Sequence, residues 1–276
     1  MKTTRTPAMG AYANLDFTRQ QEELARLKLQ ATIAIELEKQ AWREAGLKPG
    51  MAVLDLGCGP GFTSCELARF VGTEGTVTGV DVNPGLLEIA HQAQATENVP
   101  NVQFQSANIY DLPLPPASFD FVYARFVFQH LSDPQRALEQ VQQVLKPGGI
   151  VCILDIDDNW TSFAPASRSF VRFIRQSGRA QRRTHGNRMI GSCLYGLLRQ
   201  NAFQNVHTKI VPLTTSEIGV QAFLGLAVMF RLALLGRLQR LLAIPQLRKI
   251  KAASQTPEAW GAVGVFVASG SKPNPS

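Results

Sequence analysis

The residues best suited to chemistry stand in the first half and middle of the chain. Gly57, Gly59 and Gly61 occupy alternate positions, with Asp55 two residues before the first of them and Pro60 between the last two. Asp81 follows 24 residues past Gly57, near the ~20 that separate a glycine loop from a ribose-binding acid in dinucleotide folds. Glycines let bare backbone approach a nucleotide-like ligand, and a carboxylate can accept hydrogen bonds from both ribose hydroxyls. Further on, His130 and the pair Asp157 and Asp158 are groups able to take a proton from a reacting atom.

Short elements must hold these groups in place. Ala52, Val53, Leu54 and Leu56 form an apolar run, as in a strand buried on both faces. Pro60 has no backbone N–H, so the strand ends and residues 63–71 read as a helix with Cys65, Leu67, Ala68 and Val71 inward. Residues 76–81 read as a second strand that ends in Asp81, and Pro84 opens a helix over 84–94. Strands over 101–105, 118–124 and 150–154 follow, with a helix over 135–145 that Asp133 caps and Pro134 begins. Strand, glycine loop and helix in this alternation predict a doubly wound α/β sheet, with ligands at the carboxyl ends of the strands.

The spacing departs from the dinucleotide pattern Gly-x-Gly-x-x-Gly, whose third glycine would fall on Phe62. Asp55-Leu56-Gly57-Cys58-Gly59-Pro60-Gly61 is followed by Gly79-Val80-Asp81, Asp111-Leu112-Pro113, Ser118-Phe119-Asp120, His130-Leu131 and Leu145-Lys146-Pro147-Gly148-Gly149. This ordered set resembles the class I S-adenosylmethionine (SAM) methyltransferases of the ubiquinone/menaquinone-biosynthesis type over residues 47–156. The resemblance implies a Rossmann-like, doubly wound seven-stranded sheet with an N-terminal helical lid and a helical insertion before the last strand. SAM carries no pyrophosphate, but its ammonium and sulfonium favour a nearby carboxylate such as Asp55. The family pattern implies that Gly57 and Gly59 meet the methionine part and that Asp81 holds the ribose. It also implies that Val82 packs on adenine. Asn108, followed by Ile109, stands where the family often has an acid for the adenine amino group. Arg125 matches a position beside the methionine portion. Glu23-x-x-Arg26-Leu27-x-x-Gln30 resembles a leading helix in which Gln30 reaches the cofactor.

The chain divides on this reading into a helical lid (1–45), a SAM-binding core (46–158), a basic helical insertion (159–198), a sixth strand (199–215), an apolar helical insertion (216–258) and a last strand (259–270). Arg168, Arg172, Arg175 and Arg179 recur on one helical face, either a solvated face or an anion or partner surface. Residues 221–230 are apolar all round, which suits a lid, a dimer interface or a membrane-surface helix with Arg231, Arg237 and Arg240 against lipid. The formal charge of +7 permits an acidic partner without naming one. Four cysteines without metal spacing read as reduced thiols of a cytoplasmic protein, and no secretory or membrane-spanning segment is expected.

These readings combine into a SAM-dependent methyltransferase acting on a small, lipophilic organic acceptor, monomeric or homodimeric, with no metal. His130 or Asp157 would serve as base, although the plainer role for His130, and the one its place favours, is packing the start of the next helix. Tyr12 and His130 would orient the acceptor. A nucleic-acid or protein methyltransferase and a non-catalytic SAM-fold scaffold are the alternatives. Residues 123–126, Tyr-Ala-Arg-Phe, lack the Asn-Pro-Pro-Tyr-like element of amino-directed nucleic-acid methyltransferases.

Overall fold

Strand β1 (Ala52–Leu56) lies inside a seven-stranded sheet of order β3-β2-β1-β4-β5-β7-β6. The computed structural model describes residues 35–232 and 234–274, so Tyr12 and Gln30 lie outside it. Helix α1 covers residues 35–45. After β1 come α2 (Phe62–Val71), β2 (Thr76–Asp81), α3 (Pro84–Glu97), β3 (Val102–Ser106), β4 (Phe119–Arg125), α4 (Pro134–Val144) and β5 (Leu145–Ala164). β1 to β5 run parallel, and β7 (Trp260–Ser271) runs antiparallel between β5 and β6 (Gln204–Thr214). This is the doubly wound architecture expected for the class I methyltransferase fold.

Alternation along the strands feeds two cores. Val122 and Ala124 of β4 face one side, with Leu138 and Val141 of α4 and Leu194 and Leu198 of α6 (Leu194–Gln200). Phe121 and Tyr123 face the other, with Trp42 of α1, Leu67 of α2 and Leu87 of α3. The strand order reverses between β1 and β4, which opens a crevice at their carboxyl ends.

Past that crevice the structure departs from the sequence expectation. β5 does not stop near residue 154. It pairs along β7 as far as Ala164 opposite Trp260, with a register shift between Ile156 and Thr161. The ladder with β7 breaks off after Ile156 and resumes at Thr161 and Ser162, so pairing with a distant strand, and no apolar run, marks this part of β5. Helix α5 (Arg168–Arg182) begins at the Ser167 cap and turns Phe170, Phe173 and Ile174 inward. The apolar stretch after β6 is broken into α7 (Thr215–Leu224), a π-helical turn (Gly225–Met229), α8 (Phe230–Leu232) and α9 (Arg237–Ala253). Phe223, Ala227, Val228, Ala243 and Ile250 from this stretch join Phe163, Phe170 and Phe173 in a third core. The stretch therefore packs against α5 and the β6–β7 pair.

An ion cluster fixes that third core to the sheet. Arg231, 1 % exposed, donates to both Asp158 carboxylate oxygens at 2.8 Å and to the Ala227 carbonyl at 2.7 Å. Arg231 is thus removed from any lipid-facing role. Arg188 reaches the same carboxylate at 3.2 Å and the Gln129 side-chain oxygen at 2.5 Å. Burial works to raise the Asp158 pKa, but the Arg231 bonds and both guanidinium charges hold it below the usual range. Burial, together with the Arg231 charge, pulls Arg188 down to about 10. Asp158→Ala leaves two buried cations without their counter-ion and should cost ~3–5 kcal/mol in urea unfolding. Adding Arg231→Met should recover part of that loss; a single variant as stable as the parent would show that the clamp carries no weight.

Candidate active site

The glycine loop bends back between β1 and β4. Gly57 has φ 73°, and a Cβ there would stand 2.6 Å from a Val127 methyl, so the loop lies directly on the segment that leaves β4. Gly59 has φ 54° and nothing within 4 Å of where its Cβ would be, which leaves bare backbone facing open space. The Gly59 N–H donates to Asp81 Oδ2 and the Asn83 N–H to Asp81 Oδ1, both at 2.9 Å. Asp81 thereby ties the loop to the end of β2 and keeps further lone pairs for a diol. Val82 beside it is 49 % exposed, an apolar side chain at the crevice edge. Asn108 does not point its amide oxygen freely outward, because Oδ1 accepts from the Tyr110 N–H at 3.0 Å. One lone pair remains for a second donor. Ile109 packs against the first core.

Beneath the loop lies a buried polar group that the sequence reading missed. Glu38 of α1 accepts from the Tyr123 hydroxyl at 2.8 Å and from Arg125 Nε at 2.6 Å. Its signal was present: Glu38 shares a helical face with Ile35 and Trp42, where a carboxylate is out of place. Arg125 stacks over the Phe126 ring at 4.9 Å, and its buried Nη2 has no hydrogen-bond partner among the described residues. Asp55 sits behind the loop and accepts from the Ser64 hydroxyl at 2.5 Å. Burial pushes Asp55 up to about 7, and the Glu38 charge adds to this against the Ser64 bond. Burial also raises Glu38 and Asp81. An orphaned guanidinium nitrogen, open backbone at Gly59 and a surplus of carboxylates fit a ligand that carries a carboxylate, a ribose and positive charge.

The second group surrounds the turn after β4. The Gln181 amide nitrogen donates to the Gln129 carbonyl at 2.8 Å and lies 3.3 Å from His130 Nδ1. The carbonyl fixes which end of the amide is nitrogen, and that nitrogen faces the His130 ring. Asp157 is fully buried: Ser192 Oγ and the Asn159 N–H bond its carboxylate at 2.5 and 2.8 Å. That geometry makes Asp157 a brace between β5 and residue 192, and it takes the residue out of reach of an acceptor. Asp155, which the sequence reading passed over, accepts from the Gln129 and Ile156 N–H groups, and burial lifts it to about 7. No group of metal-ligand type is assembled among the described residues.

Glu38, Asp55, Asp81 and Asp155 all hold a proton more tightly folded than unfolded. The contribution of Asp55 and Asp155 to stability is whole below about pH 4 and is lost as the pH rises through about 7, and the raised Glu38 and Asp81 act in the same direction. The thermal midpoint should therefore fall by several degrees between about pH 5 and about pH 8. Asp55→Asn should flatten part of that slope in a calorimetric pH series, and an unchanged slope would contradict the shift.

Comparison with known proteins places the chain. A family model described as "Methyltransferase domain" matches residues 47–209. A 2-phytyl-1,4-naphtoquinone methyltransferase of Nostoc sp. is 39% identical over 124 residues, 43% of this chain and 54% of that protein. A demethylmenaquinone methyltransferase of Staphylococcus aureus is 34% identical over 117 residues, 42% of this chain and 48% of its own. The chain spans about half the length of these relatives. Among solved structures, a SAM dependent methyltransferase from Aquifex aeolicus shares the fold with a TM-score of 0.51 at 23% identity, over 67% of this chain and 91% of that one. The cyclase SpnF shares it with a TM-score of 0.60 at 21% identity, over 87% and 82%. No helix among the described residues is long and apolar enough to cross a membrane. With its glycine loop, its acid at the end of β2 and a match over more than half its length, the chain belongs to the methyltransferase-domain family.

Proposed function

We propose that this protein is a SAM-dependent methyltransferase whose acceptor is a small organic molecule with apolar surface. The observation that carries the reading is the pairing of the open Gly59 backbone, braced by Asp81, with an Arg125 nitrogen that has no partner among the described residues, at the switch point of the sheet. SAM supplies a methyl group on a sulfonium, a good leaving group. Asp81 would hold the ribose and Arg125 the methionine carboxylate. Val82 would face the adenine, and the Asn108 oxygen its amino group. Asp55 and Glu38 supply negative potential behind the loop, which favours the cationic cofactor over its neutral product. The remaining rate comes from holding the acceptor in line with water excluded.

His130 lies against the Gln181 amide, and Asp157 is already bonded to Ser192 and Asn159. That arrangement suits an acceptor atom that is nucleophilic without a protein base. The naphthoquinone and menaquinone relatives support a lipophilic acceptor. The cyclase match favours one second reading, a SAM fold put to other chemistry, because the same architecture hosts both.

Titration calorimetry should show SAM binding and no NAD binding. Asp81→Ala should weaken SAM ~10–100-fold, the worth of its charge-assisted bonds. Asn108→Asp should keep or strengthen it. Because a bound cation lowers the Asp55 pKa, SAM should bind more tightly at about pH 8 than at about pH 6 and release protons on binding. Equal affinity at both values would remove Asp55 from the site. A second experiment addresses residues 1–34. Their deletion should abolish methyl transfer to a quinol-type acceptor while circular dichroism shows an intact fold. The cut must spare Glu38, since losing it strands Arg125. Tight SAM binding with no transfer to any small acceptor by the whole chain would favour the second reading.

A further inference from the structure

The charge of this protein is divided along its sequence. Residues 159–257 carry fifteen Lys and Arg against Glu217 alone, while the rest of the chain carries thirteen against twenty Asp and Glu. Much of that positive charge reaches one face. Arg168, Arg172, Arg175, Arg179 and Arg183 line a groove of about 940 Å³ along α5, and Gln239 of α9 closes its far side. None of the five has an ion-pair partner among the described residues.

Helix α9 packs on α5 and is apolar on two faces. Ala243, Leu247 and Ile250 enter the third core. Leu238, Leu241, Leu242 and Pro245 recur at helical spacing on the opposite side, and the three leucines are 69, 58 and 63 % exposed. No acidic residue occurs in α9, and Arg237, Arg248 and Lys249 flank its leucines. An outward leucine stripe costs solubility unless something apolar receives it.

We propose that α9 and the arginine groove of α5 together dock this protein on an anionic lipid bilayer. The leucines would enter the headgroup–acyl boundary and the guanidiniums would meet lipid phosphates, the division of labour of an interfacial amphipathic helix. Charge complementarity selects this occupant. A second copy of the chain would bring the same cations face to face. A nucleic acid would satisfy the arginines and leave the leucines in water. Arg231, buried against Asp158, anchors the docking segment to the sheet rather than touching lipid.

Flotation of the full chain with phosphatidylcholine vesicles, with and without phosphatidylglycerol, tests the proposal. Binding should need phosphatidylglycerol and weaken with salt. Arg172→Gln/Arg175→Gln/Arg179→Gln should weaken it by about a hundredfold, at ~1 kcal/mol per charge near the surface. Leu238→Ser/Leu241→Ser/Leu242→Ser should weaken it at least about tenfold. Both triples change exposed side chains away from the glycine loop, and unchanged SAM affinity confirms that each remains folded. That control also separates this inference from the methyltransferase reading, since vesicle binding requires no turnover. A parent chain that does not float with anionic vesicles overturns the proposal, and so does a leucine triple that floats as well as the parent. A leucine triple that converts a dimer to monomers without affecting flotation assigns the face to a second copy instead.

Discussion

Among the described residues, Arg125 is a single guanidinium set against more buried carboxylates than it can neutralise. Glu38 takes its Nε, while the charges of Glu38 and Asp81 both raise the Asp55 pKa. Burying unpaired charge is expensive, and the carboxylates respond by holding protons. Within the described residues such a site is incomplete in charge. A ligand that brings positive charge and a carboxylate would balance it, the cation against Asp55 and Glu38 and the carboxylate against Arg125 Nη2. The glycine loop supplies the close approach; the charge deficit supplies the preference for which ligand approaches.

The parts legible in the sequence were those written in short local patterns. β1, the loop, Asp81 at the end of β2 and the capped start of α4 follow from apolar runs, glycines and an Asp-Pro step. The less legible parts depend on partners far along the chain. β5 runs on to Ala164 because β7, a hundred residues later, offers it a ladder. Glu38 and Arg231 each interrupt an apolar face, and their partners, Tyr123, Arg125 and Asp158, carry no mark that names them. Asp157 illustrates the converse: its place after an apolar strand suggested chemistry, but Ser192 had already claimed it.

The two cores on either side of the sheet and the third core beyond it serve different ends. The first two hold the strand ends that face the ligand. The third holds α5 and α9, and through them the basic face. Asp158 joins these regions, since it lies on the same strand as Asp155, which braces the turn bearing His130. The orientation of that turn and the seating of the basic face therefore share one strand as their common support.

β7 lies between β5 and β6, although it is the last of the seven strands to be synthesised. Until the ribosome has released it, β5 presents an open edge twenty residues long and β6 has no neighbour at all. A nascent chain at that stage has a finished ligand crevice and an unfinished sheet. Unpaired edges of this kind recruit other strands. Translation of residues 165–259 is thus an interval in which the chain is exposed to aggregation, and the scarcity of acids and abundance of arginine there give it the like-charge repulsion that keeps neighbouring copies apart.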